Sequence, residues 1–285
     1  MASMRDIKRR KSSISSTQQI TKAMKLVSTV KLQKARGRAE AANPYFNYMY
    51  DTVTSMLARS GNVNHPYLNG NSSSKKAVIV ITSNRGLAGG YNTNVVKLVT
   101  EGDFEKEDTL IYAIGGKGRE YLAHRGYNIS YEDPELMDAP DYEDASKLAA
   151  TLLELYEKGE IGEIYLAYTH FKNTVVHEPT LMKLLPINFE DVTLSDAEKQ
   201  TQMSYEPGEE EALEGIIPKY VTILFYGALV EALASENGAR MQAMDSATSN
   251  AEDMISDLSL KYNRARQGSI TQELTEIIAG ASAIS

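Results

Sequence analysis

Counting from Tyr220 in steps of three and four, the chain carries Tyr220, Ile223, Gly227, Val230, Ala234, Asn237, Met241, Met244, Thr248, Ala251, Ile255, Leu258, Tyr262 and Ala265. Eleven of these fourteen are apolar, which predicts a coiled-coil seam along one helix. The helical pattern runs from Glu209 to Ser285 with its last proline at Pro218. At about 1.5 Å per residue such a helix reaches about 115 Å, far more than the width of a domain. After Ala265 the register fails, and the apolar positions become Ile270, Leu274, Ile277, Ile278, Ala281 and Ile284. An apolar helix tip frays unless something encloses it, so the pattern predicts a socket on another protein. Folding back onto the rest of the chain is the alternative.

A second helical stretch runs from Asp6 to about Leu57, broken only by Gly37 and by Pro44, where a kink or loosening is expected. Its apolar positions Ile7, Ile14, Ile20, Met24 and Val27 recur at helical intervals, and this makes it the natural antiparallel partner of the C-terminal helix. Gly, Asn and Ser residues between Gly61 and Ser74 mark a loop. The pattern then changes. AVIVIT (77–82) and TLIYAI (109–114) read as short buried strands followed by glycine turns and helices, and a helix is expected over Tyr142–Lys158. EIYLAYTHF (163–171) and LMKLLPI (181–187) read as two further strands. The expected fold class is therefore α/β plus a long antiparallel coiled coil. Residues 1–60 and 209–285 form the paired helices, and a Rossmann-like, doubly wound domain over 75–190 is inserted between them.

Charge sharpens this arrangement. The net charge is -8, yet residues 1–40 carry +9 and residues 209–285 carry -7. A basic arm usually suggests nucleic acid or an anionic membrane surface, but here the acidic helix supplies an internal partner. The basic, serine-containing start resembles a transit peptide in composition, although the helical pattern continues through it without a cleavage boundary. The apolar run Val221–Val230 is too short to span a bilayer. The chain has no cysteine, which excludes disulfides, thiolate metal sites and a cysteine nucleophile.

Candidate chemistry is sparse. SNRGLAGGYNTN (83–94) has the glycines and helix-starting asparagines of a phosphate cradle but matches neither a Walker loop nor a dinucleotide fingerprint. In GGKGRE (115–120), Lys117 lies between glycines without a following Lys-Ser/Thr pair. His65, His124, His170 and His177 lack metal-ligand spacing, although His170 and His177 flank a strand end and could approach each other. No catalytic carboxylate pair or nucleophile elbow stands out. The residues read as a non-catalytic protein, with no catalytic, cofactor or metal site expected.

The segment ITQELTEIIAGASA (270–283) resembles the C-terminal signature of F-type ATP synthase gamma subunits, matching at Ile270, Thr271, Glu273, Glu276, Gly280, Ala281 and Ala283. RDIKRRKSSISSTQQITKAMKLVSTVKL (5–32), TSNRGLAGGYN (82–92), ASENGARMQAM (234–244) and YNRARQ (262–267) are similar to segments of that family in the same order. The resemblance implies a central rotary shaft. Its paired helices lie inside a ring of three alpha and three beta subunits, and its α/β domain lies near the epsilon subunit and the c ring. It couples proton flow to conformational change at catalytic sites on beta. It also implies site residues. Lys22, Met24 and Lys25 meet an acidic loop of beta, with further beta contacts at Arg240, Gln267, Thr271, Glu273 and Glu276. Ile277, Ile278, Ala281 and Ile284 form an apolar bearing tip, and Tyr205 and Glu206 face epsilon and the c ring. The absence of a regulatory cysteine-containing insertion points to a bacterial enzyme at the cytoplasmic face of the cell membrane. Ordinary coiled-coil or surface packing remains the alternative for each of these residues. For the whole chain, the alternative is a nucleotide-binding α/β enzyme with a helical oligomerisation stalk.

Overall fold

The computed structural model describes residues 3–59, 66–187 and 208–284, in helices and one five-stranded sheet. The chain divides into two compact units, Thr29–Ala239 and the pair of segments Met1–Ser28 with Arg240–Ser285.

In the first unit the sheet order is β3-β2-β1-β4-β5. Strand β1 (Lys76–Ile81) is central, since KAVIVI offers apolar side chains to both faces, as a strand covered on both sides must. It pairs in parallel with β2 (Thr109–Ile114) and with β4 (Glu163–Phe171), while β3 (Asn128–Asp133) extends β2 in parallel. Strand β5 (His177–Leu185) turns back antiparallel on β4. Helices cover both faces. Val78, Val80, Ile111, Ala113 and Ala167 pack with Val95, Val96 and Val99 of α3 (Tyr91–Thr100) and Leu122 of α4 (Gly116–His124). Ala77, Ile79, Ile81 and Ile114 share the other core with Leu148, Leu152 and Tyr156 of α6 (Tyr142–Glu157). That core also takes Val53 and Met56 of α1 (Met4–Arg59) and the stretch Leu213–Ala232 of the C-terminal helix α7 (Glu209–Ile284). The short α2 (Pro66–Asn69) contributes Tyr67, and α5 (Glu135–Asp138) contributes Leu136 and Met137. Helix α6 starts where Asp141 caps it, its carboxylate accepting from the Glu143 amide at 2.9 Å.

Two local expectations need correction. Strand β3 has no counterpart in the pattern reading, because NISYED is a mostly exposed edge strand and carries no buried run to see. Strand β5 begins at His177, four residues before LMKLLPI. Its first half alternates exposed and half-buried residues and includes Pro179, which an edge strand tolerates. Helix α1 runs through Pro44 as one helix, in line with the long helix expected from Asp6.

In the second unit α1 and α7 run antiparallel. On α1 the inward positions are Ile7, Ile14, Thr21 and Ser28, a strict seven-residue repeat in which Ile14 is half-buried and the others are buried. On α7 the facing stripe is Met244, Thr248, Ala251, Ile255, Leu258, Tyr262 and Ala265, all buried or half-buried. The α1 side differs from the pattern reading. Ile20 and Val27 are 59% and 58% exposed, and hydroxyl residues occupy the seam instead. A heptad set that includes threonine and serine does not look like a seam when only apolar residues are counted.

Candidate functional site

Three polar layers cross the helix pair. Gln18 Nε2 donates to Glu252 Oε1 at 3.0 Å, and the Thr21 and Thr248 hydroxyls meet at 2.7 Å. Lys25 Nζ reaches Asp245 Oδ1 at 2.6 Å. Thr21 is also placed to donate to the Gln18 carbonyl at 3.0 Å and Thr248 to the Met244 carbonyl at 2.7 Å. Each hydroxyl has one proton, so one donates across the seam while the other donates along its own helix. Beside these layers lies an open groove of about 580 Å³, lined on α1 by Lys22, Lys25 and Leu26 and on α7 by Asp245, Ser249 and Glu252. Lys22 is exposed, while Met24 and Arg240 are half-buried. The pairing of opposite charge is local. Lys25 finds Asp245, but Arg5, Lys8, Arg9 and Arg10 are exposed along the outside of α1.

Beyond Ser269 the described residues of α7 to Ser282 are all exposed. Ile270, Leu274, Ile277 and Ile278 are 49%, 55%, 68% and 62% exposed, at spacings that place them along one side of the helix. Ala281 continues that side, and Ile284 lies in the helix with its side chain outside the described residues. Gln267, Thr271, Glu273 and Glu276 are exposed among them. Thr271 donates to the Gln267 carbonyl at 2.9 Å, and Gln272 Nε2 donates to Glu276 Oε1 at 2.9 Å. The structure thus places the candidate residues Lys22, Met24 and Lys25 together on α1 and Gln267, Thr271, Glu273 and Glu276 in one stretch of α7, while Arg240 lies about 40 Å away along the same helix. Tyr205 and Glu206 lie outside the described residues.

The phosphate-cradle alternative meets a specific obstacle. The first amides of α4 are already bonded: Gly116 to Asn84 Oδ1 at 2.9 Å, Lys117 to the Ser83 carbonyl at 3.0 Å and Gly118 to Thr82 Oγ1 at 2.7 Å. Asn84 is itself held by donating to the Pro134 carbonyl at 2.7 Å, and the Ser83 amide donates to Asn92 Oδ1 at 2.8 Å. Lys117 pairs with Glu120 at 2.6 Å, a bond that raises the lysine pKa and lowers that of the glutamate. The glycine turn before α4 therefore folds around the protein's own polar groups.

The histidines separate. His170 Nδ1 meets Glu231 Oε2 at 2.7 Å, whereas the strand register sets His177 opposite Phe171. His177 sits against Gly238 of α7, and burial lowers its pKa. His65 lies outside the described residues. Among the described residues, no three His, Cys, Asp or Glu side chains group as metal ligands. The pattern reading placed Thr248 on the α7 seam but missed Gln18, Thr21, Asp245 and Glu252 as cross-helix partners. The signal that finds Thr21 is the seven-residue repeat Ile7, Ile14, Thr21, Ser28.

A mostly parallel sheet domain and, as a separate unit of the same chain, two long helices paired antiparallel, one of which presents an uncovered apolar end, define a stalk-type protein. Comparison makes the class specific. The family profile described as ATP synthase matches residues 3–284. The ATP synthase gamma chain of Lachnoclostridium phytofermentans is 67% identical over 291 residues, covering all of both chains. The sodium-ion-specific ATP synthase gamma chain of Acetobacterium woodii is 41% identical, covering 99% of this chain and 98% of that one. The chain belongs to the ATP synthase gamma chain family. Among solved structures, the rotor of the Euglena gracilis mitochondrial ATP synthase matches with a TM-score of 0.67 at 19% identity, over 94% of this chain and 98% of that one, which shows the shared fold.

Proposed function

We propose that this chain is the central rotary shaft of an F-type ATP synthase, without a catalytic centre of its own, working at the cytoplasmic face of a bacterial membrane. The observation that carries the reading is the end of α7, where Ile270, Leu274, Ile277 and Ile278 stand in solvent on a helix that has outrun its partner. Full-length similarity to ATP synthase gamma chains supports this reading, in which that end is enclosed by a ring of three alpha and three beta subunits. The epsilon subunit and the c ring hold the other end, with Tyr205 and Glu206 proposed to face them.

The mechanism follows from symmetry. A single asymmetric shaft cannot touch three equivalent beta subunits in the same way, so its contacts favour a different conformation in each. A conformational equilibrium shifts only by the difference in contact energy between its states. Rotation moves those differential contacts from one beta subunit to the next. Ile277, Ile278, Ala281 and Ile284 are suited to a bearing, because burial and dispersion are non-directional and let a surface slide. Gln267, Thr271, Glu273, Glu276 and Arg240 are suited to catches, because hydrogen bonds and ion pairs are directional. Lys22, Met24 and Lys25 provide the lower contact, where an acidic loop of beta would meet cationic heads carried on apolar stems. The coupling ion, a proton in this proposal, is bound elsewhere in the enzyme.

Native mass spectrometry of the complex recovered through this chain, combined with an ATPase assay, tests the proposal. One copy with three alpha and three beta subunits, and hydrolysis absent from the isolated chain, is the expected result. A homo-oligomer that binds nucleotide by itself would overturn it in favour of an α/β enzyme.

A further inference from the structure

The three cross-helix layers belong to one alignment. The antiparallel offset agrees to within one residue: Gln18 with Glu252, Thr21 with Thr248, and Lys25 with Asp245. The middle layer is buried, Thr21 being 8% and Thr248 9% exposed. We propose that these layers, centred on the Thr21–Thr248 hydroxyl pair, are a register lock. The lock fixes α1 axially against α7 and so sets where Lys22 and Met24 stand relative to Arg240.

Within the paired end segments the rest of the seam specifies register poorly, although further along Val53 and Met56 of α1 share a core with Leu213–Ala232 of α7. The seam residues repeat with a seven-residue period, and small side chains such as Ala251 and Ser28 fit many neighbours. A slip of one heptad in one direction would set Lys25 against Glu252, still an opposite charge, so ion pairing alone does not exclude it. The same slip sets Thr21 against Ile255. The reverse slip sets Thr21 against Met241 and Lys25 against Gly238, losing both partners. The first slip also brings Ser28, one heptad after Thr21, against Thr248, but it leaves Thr21 facing an isoleucine and takes Gln18 away from Glu252, so only the native register satisfies all three layers together. Polar groups in a coiled-coil seam act this way in general, favouring one alignment over its neighbours at some cost in stability.

Neither threonine depends on the other to avoid a stranded hydroxyl, since each has a carbonyl acceptor in its own helix. The pair therefore contributes alignment more than cohesion. One neutral hydrogen bond biases two registers by roughly fivefold, and the charged flanking layers add to that.

The chain contains no cysteine, so two introduced thiols carry unambiguous labels. Spin labels at Ser13→Cys and Gln242→Cys, both exposed, report the helix offset in the full chain by electron-electron resonance. Unsubstituted seam residues and the conservative variant Thr21→Ser with Thr248→Ser should give one narrow distance. Thr21→Val with Thr248→Val should add a population displaced by about 10 Å, one heptad of helix rise, with helicity and melting temperature kept or raised. A single unchanged distance in the valine variant overturns the lock. So does lost helicity, because the pair would then hold the helices together rather than choose between registers. In the assembled enzyme the valine variant should also pump at least twofold fewer ions per ATP hydrolysed, with rescue by the serine variant. That second readout rests on the rotary-shaft reading. A displaced population with normal pumping would leave the lock standing and remove its role in coupling.

Discussion

Gly115 adopts φ 99°, and a Cβ there would lie 2.0 Å from the Thr82 carbonyl oxygen, inside the backbone of the neighbouring strand end. Gly115→Ala therefore adds a backbone clash to the roughly 1 kcal/mol of left-handed strain that alanine brings. A loss of at least about 2 kcal/mol in urea unfolding is expected. The glycine was visible in the sequence, but its reason was not, since GGKGRE looks equally like a ligand loop until Thr82, Ser83 and Asn84 are seen bonding its amides. His177 shows the same limit. Its ring nitrogens are buried without a well-formed hydrogen bond, and burial lowers its pKa below the ordinary 6.5, a nearby Thr174 backbone group offsetting part of this. In the unfolded chain the ring titrates normally, so below about 6.5 the unfolded state binds the extra proton and stability falls with pH. His177→Gln should flatten the decline in urea midpoint between pH 7.5 and 5.5 relative to the parent. A decline of equal slope in both would show that His177 is not its source.

At the scale of elements, α7 is one helix with two kinds of surroundings. Near its start it is core: Phe225 is fully buried, and Phe225→Ala should cost about 3–5 kcal/mol. Near its end it is surface. Ile277→Ser with Ile278→Ser should change the stability of the isolated chain by less than about 0.5 kcal/mol, because these side chains are already in water. Thermal unfolding of both variants checks the contrast, and a large loss from the serine pair would mean the tip packs within the chain. Periodicity revealed this helix because its seam is long. It revealed β1, β2 and β4 because buried strands of a parallel sheet are continuous apolar runs. It failed for β3, whose exposed edge leaves no such run, and for the first half of β5, where His177, Glu178 and Pro179 read as loop.

At the scale of the molecule, stability and coupling should separate. Gln267→Leu with Thr271→Val touches only exposed groups, one of them bonded within its own helix turn, so folding should be nearly unchanged. Pumping driven by ATP in the assembled enzyme should fall several-fold. Unchanged pumping would remove these residues from the upper contact. The sequence by itself determined the class of each segment and the family, because helix period, buried-strand runs and the segment Ile270–Ala283 are local properties of consecutive residues. Only the tertiary structure decided which α1 positions form the seam. It also decided that the glycine-loop amides are already taken and that α7 continues past its partner with its apolar side uncovered. Those facts depend on where a second segment lies, on registers such as Thr21 with Thr248, and on hydrogen bonds between residues far apart in the chain. Periodicity within one segment carries no information about the offset of its neighbour.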